Sequence, residues 1–157
     1  MELELDDAKK LFMKIHKISS MQIRCRLLRL IHGDVYCGAR TYRTGLTSTD
    51  RCVRCFEEET ILHLLLRCPY TRQVWDMLGM NYDRPEDIID PEIGLAALEI
   101  RADLVNELVF RKRQLPPEIL IETTFNKFAK GLSKNNSITK FATEKLALYH
   151  FTGRWAN

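Results

Sequence analysis

The sequence predicts an all-α protein, a small helical domain followed by a helical tail. Three observations carry this expectation. Apolar residues recur at intervals of three and four in segment after segment, the spacing that lines one face of a helix. Gly, Pro and short hydroxyl or acidic residues stand where those segments begin and end. No stretch of useful length alternates apolar with polar residues as a half-buried strand does, and there is no repeat or low-complexity tract.

In chain order, Leu11, Phe12, Ile15 and Ile18 mark a first helix over 7–18, with Asp6 or Asp7 to cap its free N–H groups. Ser19 and Gln22 have the form of a capping box, and Ile23, Leu27, Leu30 and Ile31 give the next helix an apolar face that stops at Gly33. Gln22, Arg26 and Arg29 occupy its other face. A shorter helix over 35–44 closes at Gly45, and 46–50 is rich in turn formers. Thr60 caps a helix running to about Arg67, and Pro69, suited to a first helical position, begins another through Val74, Trp75 and Leu78 to Gly79. Residues 80–90 read as a linker. After Asp90-Pro91, Ile93, Ala97, Ile100, Leu104 and Leu108 form an amphipathic stripe ending near Arg111-Lys112-Arg113, where cations suit a helix C-terminus. After Pro116-Pro117, the stripe Ile121, Phe125, Phe128 and Leu132 faces away from Lys127, Lys130 and Lys134, and Ser137 opens a last helix to about His150. The expected organisation is a helical domain over 1–79, a linker over 80–90 and a helical region over 91–157.

A chain of 157 residues holds one domain or two small helical units and is too short for a polymerase. With 45% hydrophobic and 29% charged residues it should fold. No apolar run approaches the roughly 18 residues of a membrane span, and the acidic start lacks the basic end of a secretory signal, so an intracellular protein with no membrane association is expected. Five cysteines, an odd number without a signal sequence, point to reduced thiols or a metal site rather than disulfides. The formal charge of +3 is unevenly spread. Residues 14–55 carry nine basic side chains against Asp34 and Asp50, a local excess of +7.

Cys52-Val53-Arg54-Cys55 lets one tight turn present two sulfurs to a single ion, and His63 and Cys68 complete the pattern C-x2-C-x7-H-x4-C. These are the soft and borderline donors zinc prefers. Four suitable residues within 17 positions outweigh the bland reading of buried thiols and a satisfied core histidine. Along an ideal helix, five residues turn the side chain by about 500°, so His63 and Cys68 cannot share a face unless the helix breaks. Pro69 supplies the break by biasing Cys68 away from helical geometry. Three thiolates and a neutral imidazole around Zn²⁺ leave about −1 of charge, for which Arg51, Arg54 and Arg67 are adjacent donors. Four protein ligands leave no open coordination position, so the single zinc is expected to be structural. Cys25 and Cys37 fall outside this set and read as packing residues.

The residues in order, a basic helix ending at His32-Gly33, then Arg40, Gly45, Cys52-x2-Cys55, Glu59-Thr60, His63-Leu64, Cys68 and Val74-Trp75, resemble the zinc-binding domain near the C-terminus of non-LTR (LINE-type) retrotransposon reverse transcriptases. The resemblance covers about residues 14–78. Val109-Phe110-Arg111 and Pro116-Pro117-Glu118 look more loosely like the helical tail that follows this module. Cys37, where a small hydroxyl residue is common, and Leu65, where an aromatic is common, depart from the pattern without touching a ligand. The resemblance implies a part in gripping template RNA or target DNA, and a nuclear location.

A polymerase of that kind needs an aromatic-x-Asp-Asp turn for Mg²⁺, whereas Asp6-Asp7 follows Glu4-Leu5 and opens a helix. With no phosphate loop or nucleophile-base pairing either, no enzyme activity and no small-molecule substrate are expected. The expected function is RNA or DNA binding, with Arg26, Arg29, Arg40, Arg43, Arg51 and Arg54 on phosphates and Tyr36 and Tyr42 available for stacking. The alternatives are a zinc-stapled scaffold that docks on a protein through residues 91–150, or the remnant of a decayed retroelement.

Overall fold

A computed structural model describes residues 4–18, 20–90, 92–111, 115–130 and 136–155. Among them the structure is helical, without strands. In order come α1 (Leu5–Lys17), α2 (Met21–Ile31), α3 (Gly38–Arg43), a π-helical turn (His63–Arg67), α4 (Pro69–Met77), α5 (Pro85–Ile88), α6 (Leu95–Asn106), a second π-helical turn (Glu107–Arg111), α7 (Pro117–Ala129) and α8 (Asn136–Thr152). No helix among the described residues is long and apolar enough to cross a membrane.

The helix boundaries follow local chemistry, with some shifts from expectation. Asp6 and Asp7 lie inside the first turn of α1, where acids favour the helix dipole, and neither is its cap. Ser19 lies outside the described residues; Ser20 caps α2, its hydroxyl accepting from the Ile23 N–H at 3.3 Å. Helix α3 begins later than periodicity predicts because Cys37 is extended, and the Gly38 N–H donates to the Glu59 carboxylate at 2.8 Å. Residues 80–90, read as a linker, contain α5 and contribute the fully buried Ile88 and Ile89 to the core. Pro91, Lys112, Arg113, Leu132 and Lys134 lie outside the described residues.

Helix α6 is the centre of the structure. It packs against α2, α7 and α8, α7 packs against α4 and α8, and the two π-helical turns touch each other. With neighbours on several sides α6 is not the one-faced helix its stripe predicts: Leu98, Ile100, Ala102, Leu104 and Val105 are buried together with Glu99, Asp103 and Asn106. Buried polar groups need partners. The Arg26 guanidinium of α2 donates to the Asn106 side-chain oxygen, and Lys127 of α7 donates to Asp103 at 2.7 Å. Thus one apolar cluster runs from Leu11 to Trp155, and polar contacts tie the N-terminal half to the tail through α6. Helix α1 adds an outer clamp: Lys10 pairs with Glu92 at 2.7 Å and Lys14 donates to the Ile93 carbonyl at 2.7 Å. At the C-terminal end, Trp155 stacks between Phe125 and Tyr149 at centroid distances of 4.8 and 4.2 Å.

Asp103 is 3% exposed and Lys127 38% exposed. Replacing Lys127 by Met removes the partner of a buried carboxylate, and we expect a loss of about 1–3 kcal/mol in urea unfolding, below the roughly 3–5 kcal/mol for a fully buried pair because the lysine is partly solvated. Lys127→Met combined with Asp103→Leu should recover most of that loss; equal stability of wild type and the single variant would remove this pair from the fold's determinants.

Candidate metal centre

Two short pieces of chain, a hairpin-like knuckle over 50–59 and the π-helical turn with Cys68, bring the four predicted ligands together. The knuckle is closed by an isolated antiparallel bridge between Arg51 and Glu58. Within it, the Cys52 N–H donates to Glu57 O at 2.7 Å and the Phe56 N–H to Cys52 O at 2.9 Å, which curls Cys52 and Cys55 toward the same point. The curl places Phe56 at φ +64°, the left-handed region a non-glycine residue adopts at some cost, with its ring 74% exposed.

The second half is wound differently from expectation. Thr60 does cap the turn, its hydroxyl accepting from the His63 N–H at 3.1 Å. Past Leu62, however, the chain widens into a π-helix, and the Cys68 N–H donates to the His63 carbonyl at 2.7 Å. This i to i+5 bond sets Cys68 over His63, overcoming the angular mismatch of an α-helix. Pro69 acts as predicted on Cys68, which has φ −56° and ψ 130°. It also has a second effect. Lacking an N–H, Pro69 cannot take the next rung of the ladder, and the freed Leu64 carbonyl accepts from the Thr71 hydroxyl at 2.9 Å. The Leu65 carbonyl accepts from the Trp75 indole at 2.9 Å. Both donors come from α4, so the buried end of the π-turn is satisfied by Trp75, predicted only as part of that helix's apolar run, and by Thr71, which no sequence pattern marks.

The ligand atoms of Cys52, Cys55, His63 and Cys68 all lie within 4.8 Å of one another. Cys52 Sγ and Cys68 Sγ are 4.0 Å apart, and Cys55 Sγ is 3.2 Å from His63 Nε2. Zinc with Zn–S bonds near 2.3 Å requires tetrahedral edges of roughly 3.8 Å, so the donor set fits one structural zinc ion in both chemistry and spacing. His63 turns Nε2 toward Cys55 Sγ, leaving Nδ1 3.9 Å from the exposed Glu57 carboxylate, beyond direct hydrogen-bond distance. The Arg54 N–H donates to Cys52 Sγ at 3.4 Å, and its guanidinium lies over the Tyr70 ring at 4.3 Å. Arg51 instead pairs with Asp50 at 3.5 Å, and Arg67 is exposed. Burial pushes the Cys52 thiol up to about 11, so at neutral pH the metal-free thiol holds its proton and zinc must displace it.

Gly38 connects this centre to α3. A Cβ there would meet Asp50 O at 2.8 Å and Glu59 Cβ at 2.9 Å, backbone and a buried side chain that frame the knuckle.

The other expected site residues are divided. Arg29, Arg43 and Arg51 are exposed, whereas Arg26 is engaged by Asn106, Arg40 pairs with Asp34 at 2.5 Å while lying 4.6 Å over the Tyr36 ring, and Arg54 covers Tyr70. His32, Arg40 and Arg43 line one open groove of about 660 Å³ between the end of α2, α3 and the Thr60–Leu62 turn. Tyr36 and Tyr42 are exposed. Cys37 is buried as expected, but Cys25 is exposed, a correction to its reading as a packing residue: it lies off the apolar face set by Ile23, Leu27 and Leu30.

The purified chain should carry one zinc by elemental analysis, and Cys55→Ser should lose it together with part of the helical circular dichroism. Zinc uptake by the metal-free chain should release protons, seen as a buffer-dependent calorimetric enthalpy, and should weaken as pH falls. A fully folded, metal-free wild-type chain would contradict the assignment. Gly38→Ala should cost about 1–3 kcal/mol in thermal unfolding of the loaded protein, through displacement of the Asp50 and Glu59 segment.

Residues 4–75, a span that contains all four ligands, match the family described as zinc-binding in reverse transcriptase. No curated protein and no solved structure matches the chain.

Proposed function

We propose that this chain is a zinc-stapled nucleic-acid-binding module, non-catalytic by itself, of the kind found in the tail of LINE-type reverse transcriptases. The observation that carries the reading is the groove at α3. It gathers His32, Arg40 and Arg43 with one acid, Asp34; the Tyr36 ring lies 4.6 Å from the Arg40 guanidinium, and the Glu59 contact to Gly38 ties α3 to the knuckle. Guanidinium groups supply phosphate contacts, and exposed aromatic rings supply stacking surfaces for unpaired bases. Four protein ligands fill the zinc coordination shell, which supports a structural and not a catalytic metal.

The structure changes the weight of individual arginines in this proposal. Arg29 and Arg43 present exposed charge and are the primary contacts, Arg51 is exposed but pairs with Asp50 at 3.5 Å, and Arg40 lies in the groove already oriented by Asp34 and Tyr36. Arg26 and Arg54 contribute through the fold, by holding Asn106 and covering Tyr70. Of the two features behind the protein-docking alternative, the apolar stripes weigh against it, since Ile100, Leu104, Leu108, Ile121, Phe125 and Phe128 lie in the protein's own core, and the alternating charges along 99–118 still favour it.

Fluorescence anisotropy of the zinc-loaded chain with a labelled single-stranded RNA and a DNA duplex tests the reading. Binding should weaken with salt, and charge reversal at Arg43 or Arg29 should lower the logarithmic salt slope by about 0.7 per lost contact on single strands. Lack of binding to either probe near about 50 mM salt would refute the proposal.

A further inference from the structure

A second cavity, about 170 Å³, lies within the tail, where the end of α4 meets α6, α7 and α8. Leu78, Ile100, Leu104, Phe125 and Trp155 make its walls apolar, and the charged side chains lining it, Arg101 and Lys145, are both cations. An apolar cavity of about 150 Å³ accommodates a benzene ring, so the space suits one ring or a short chain.

The two cations that line this cavity have no carboxylate partner among the described residues, and buried donors without acceptors lie behind its wall. Arg101 is half-buried; one Nη donates to the Ile88 carbonyl at 3.3 Å and its Nε is buried with no acceptor. The Tyr82 ring lies 5.5 Å from its guanidinium carbon. Lys145 reaches only the Phe141 ring, at 5.7 Å, and neither cation forms an ion pair among the described residues. Trp155 is 4% exposed and its indole N–H is buried without an acceptor. Burial lowers the Arg101 pKa, the direction expected of a cation lacking a close carboxylate. Such a group is stabilised by an anion, and a guanidinium matches a carboxylate through two parallel hydrogen bonds.

We propose that this cavity binds a small monocarboxylate with an apolar body, its ring or short chain among Ile100, Leu104 and Phe125 and its carboxylate on Arg101 and Lys145. The site is separate from the groove at α3, so it stands or falls apart from nucleic-acid binding. An inorganic anion would leave the apolar walls unfilled, and a neutral ligand would leave the cations unpaired.

Phenylacetate, its neutral isostere phenylacetamide, and sulfate are the probes, titrated into the zinc-loaded full chain by ¹H–¹⁵N NMR. The two tryptophan indoles serve as reporters: Trp155 lines the cavity, whereas the Trp75 indole is occupied by Leu65. Saturable movement of the Trp155 indole resonance by phenylacetate, with a Kd on the order of 1 mM, is expected for a ligand of this size. The amide and sulfate should bind at least about tenfold more weakly, and Arg101→Met should weaken phenylacetate by about the same factor. Should Arg101→Met fail to fold, Lys145→Met, on a different helix of the cavity wall, tests the same carboxylate contact. Ala97→Phe, which fills the cavity, should abolish the response. No saturation by phenylacetate, equal binding of the amide or of sulfate, or unchanged affinity in the cation variants would each overturn the proposal.

Discussion

The convergence of Cys52, Cys55, His63 and Cys68 on one point constrains much of the N-terminal half. Three thiols and an imidazole within 4.8 Å of one another have a reason to stay there when an ion replaces their lost hydration and protons. Each ligand in turn demands a backbone device that is costly in isolation: a left-handed Phe56, a π-helical turn, an extended Cys68 ahead of Pro69. Metal binding offsets such local costs because the unfolded chain has no preformed site, so binding free energy becomes folding free energy. The knuckle then positions Glu59 under the first N–H of α3, which sets the register of the arginine-bearing helix.

The centre is joined to the rest of the molecule through hydrogen bonds as well as packing. Thr71 and Trp75 occupy the carbonyls left open at the end of the π-turn, coupling the zinc ligands to α4, and α4 packs on α7. Helix α6 receives α2 on one side and the tail helices on others, and its buried Asn106 and Asp103 take donors from both. The consequence for function is a division among basic residues. Arg26 is consumed by α6, Arg40 and Arg54 are engaged by Asp34 and Tyr70, and Arg29 and Arg43 remain exposed.

The same centrality explains the cavity in the tail. Helices crossing a helix buried on several sides leave gaps where large rings cannot interdigitate, and the stack of Phe125, Trp155 and Tyr149 holds one wall of this gap rigid. Most such gaps are lined by apolar groups alone. Here Arg101 and Lys145 border one, which gives it a charge preference that its volume would not.

By itself the sequence determined the ligand set, the helical class and most helix starts, because each is written in residues close together along the chain. C-x2-C-x7-H-x4-C is a local pattern, Thr60 and Pro69 act on their immediate neighbours, and the stripes of three and four report a face whatever it packs against. Tertiary structure decided what those faces meet. The π-winding that sets Cys68 over His63 depends on Thr71 and Trp75 donating to the Leu64 and Leu65 carbonyls it leaves open, and a periodicity argument assumes regular winding. That α6 is buried nearly all round, that 80–90 supplies core residues, and that Arg26 binds Asn106 across 80 positions are long-range facts. An amphipathic stripe records that one side of a helix is apolar; only the packed neighbours decide whether the other side meets water or a partner.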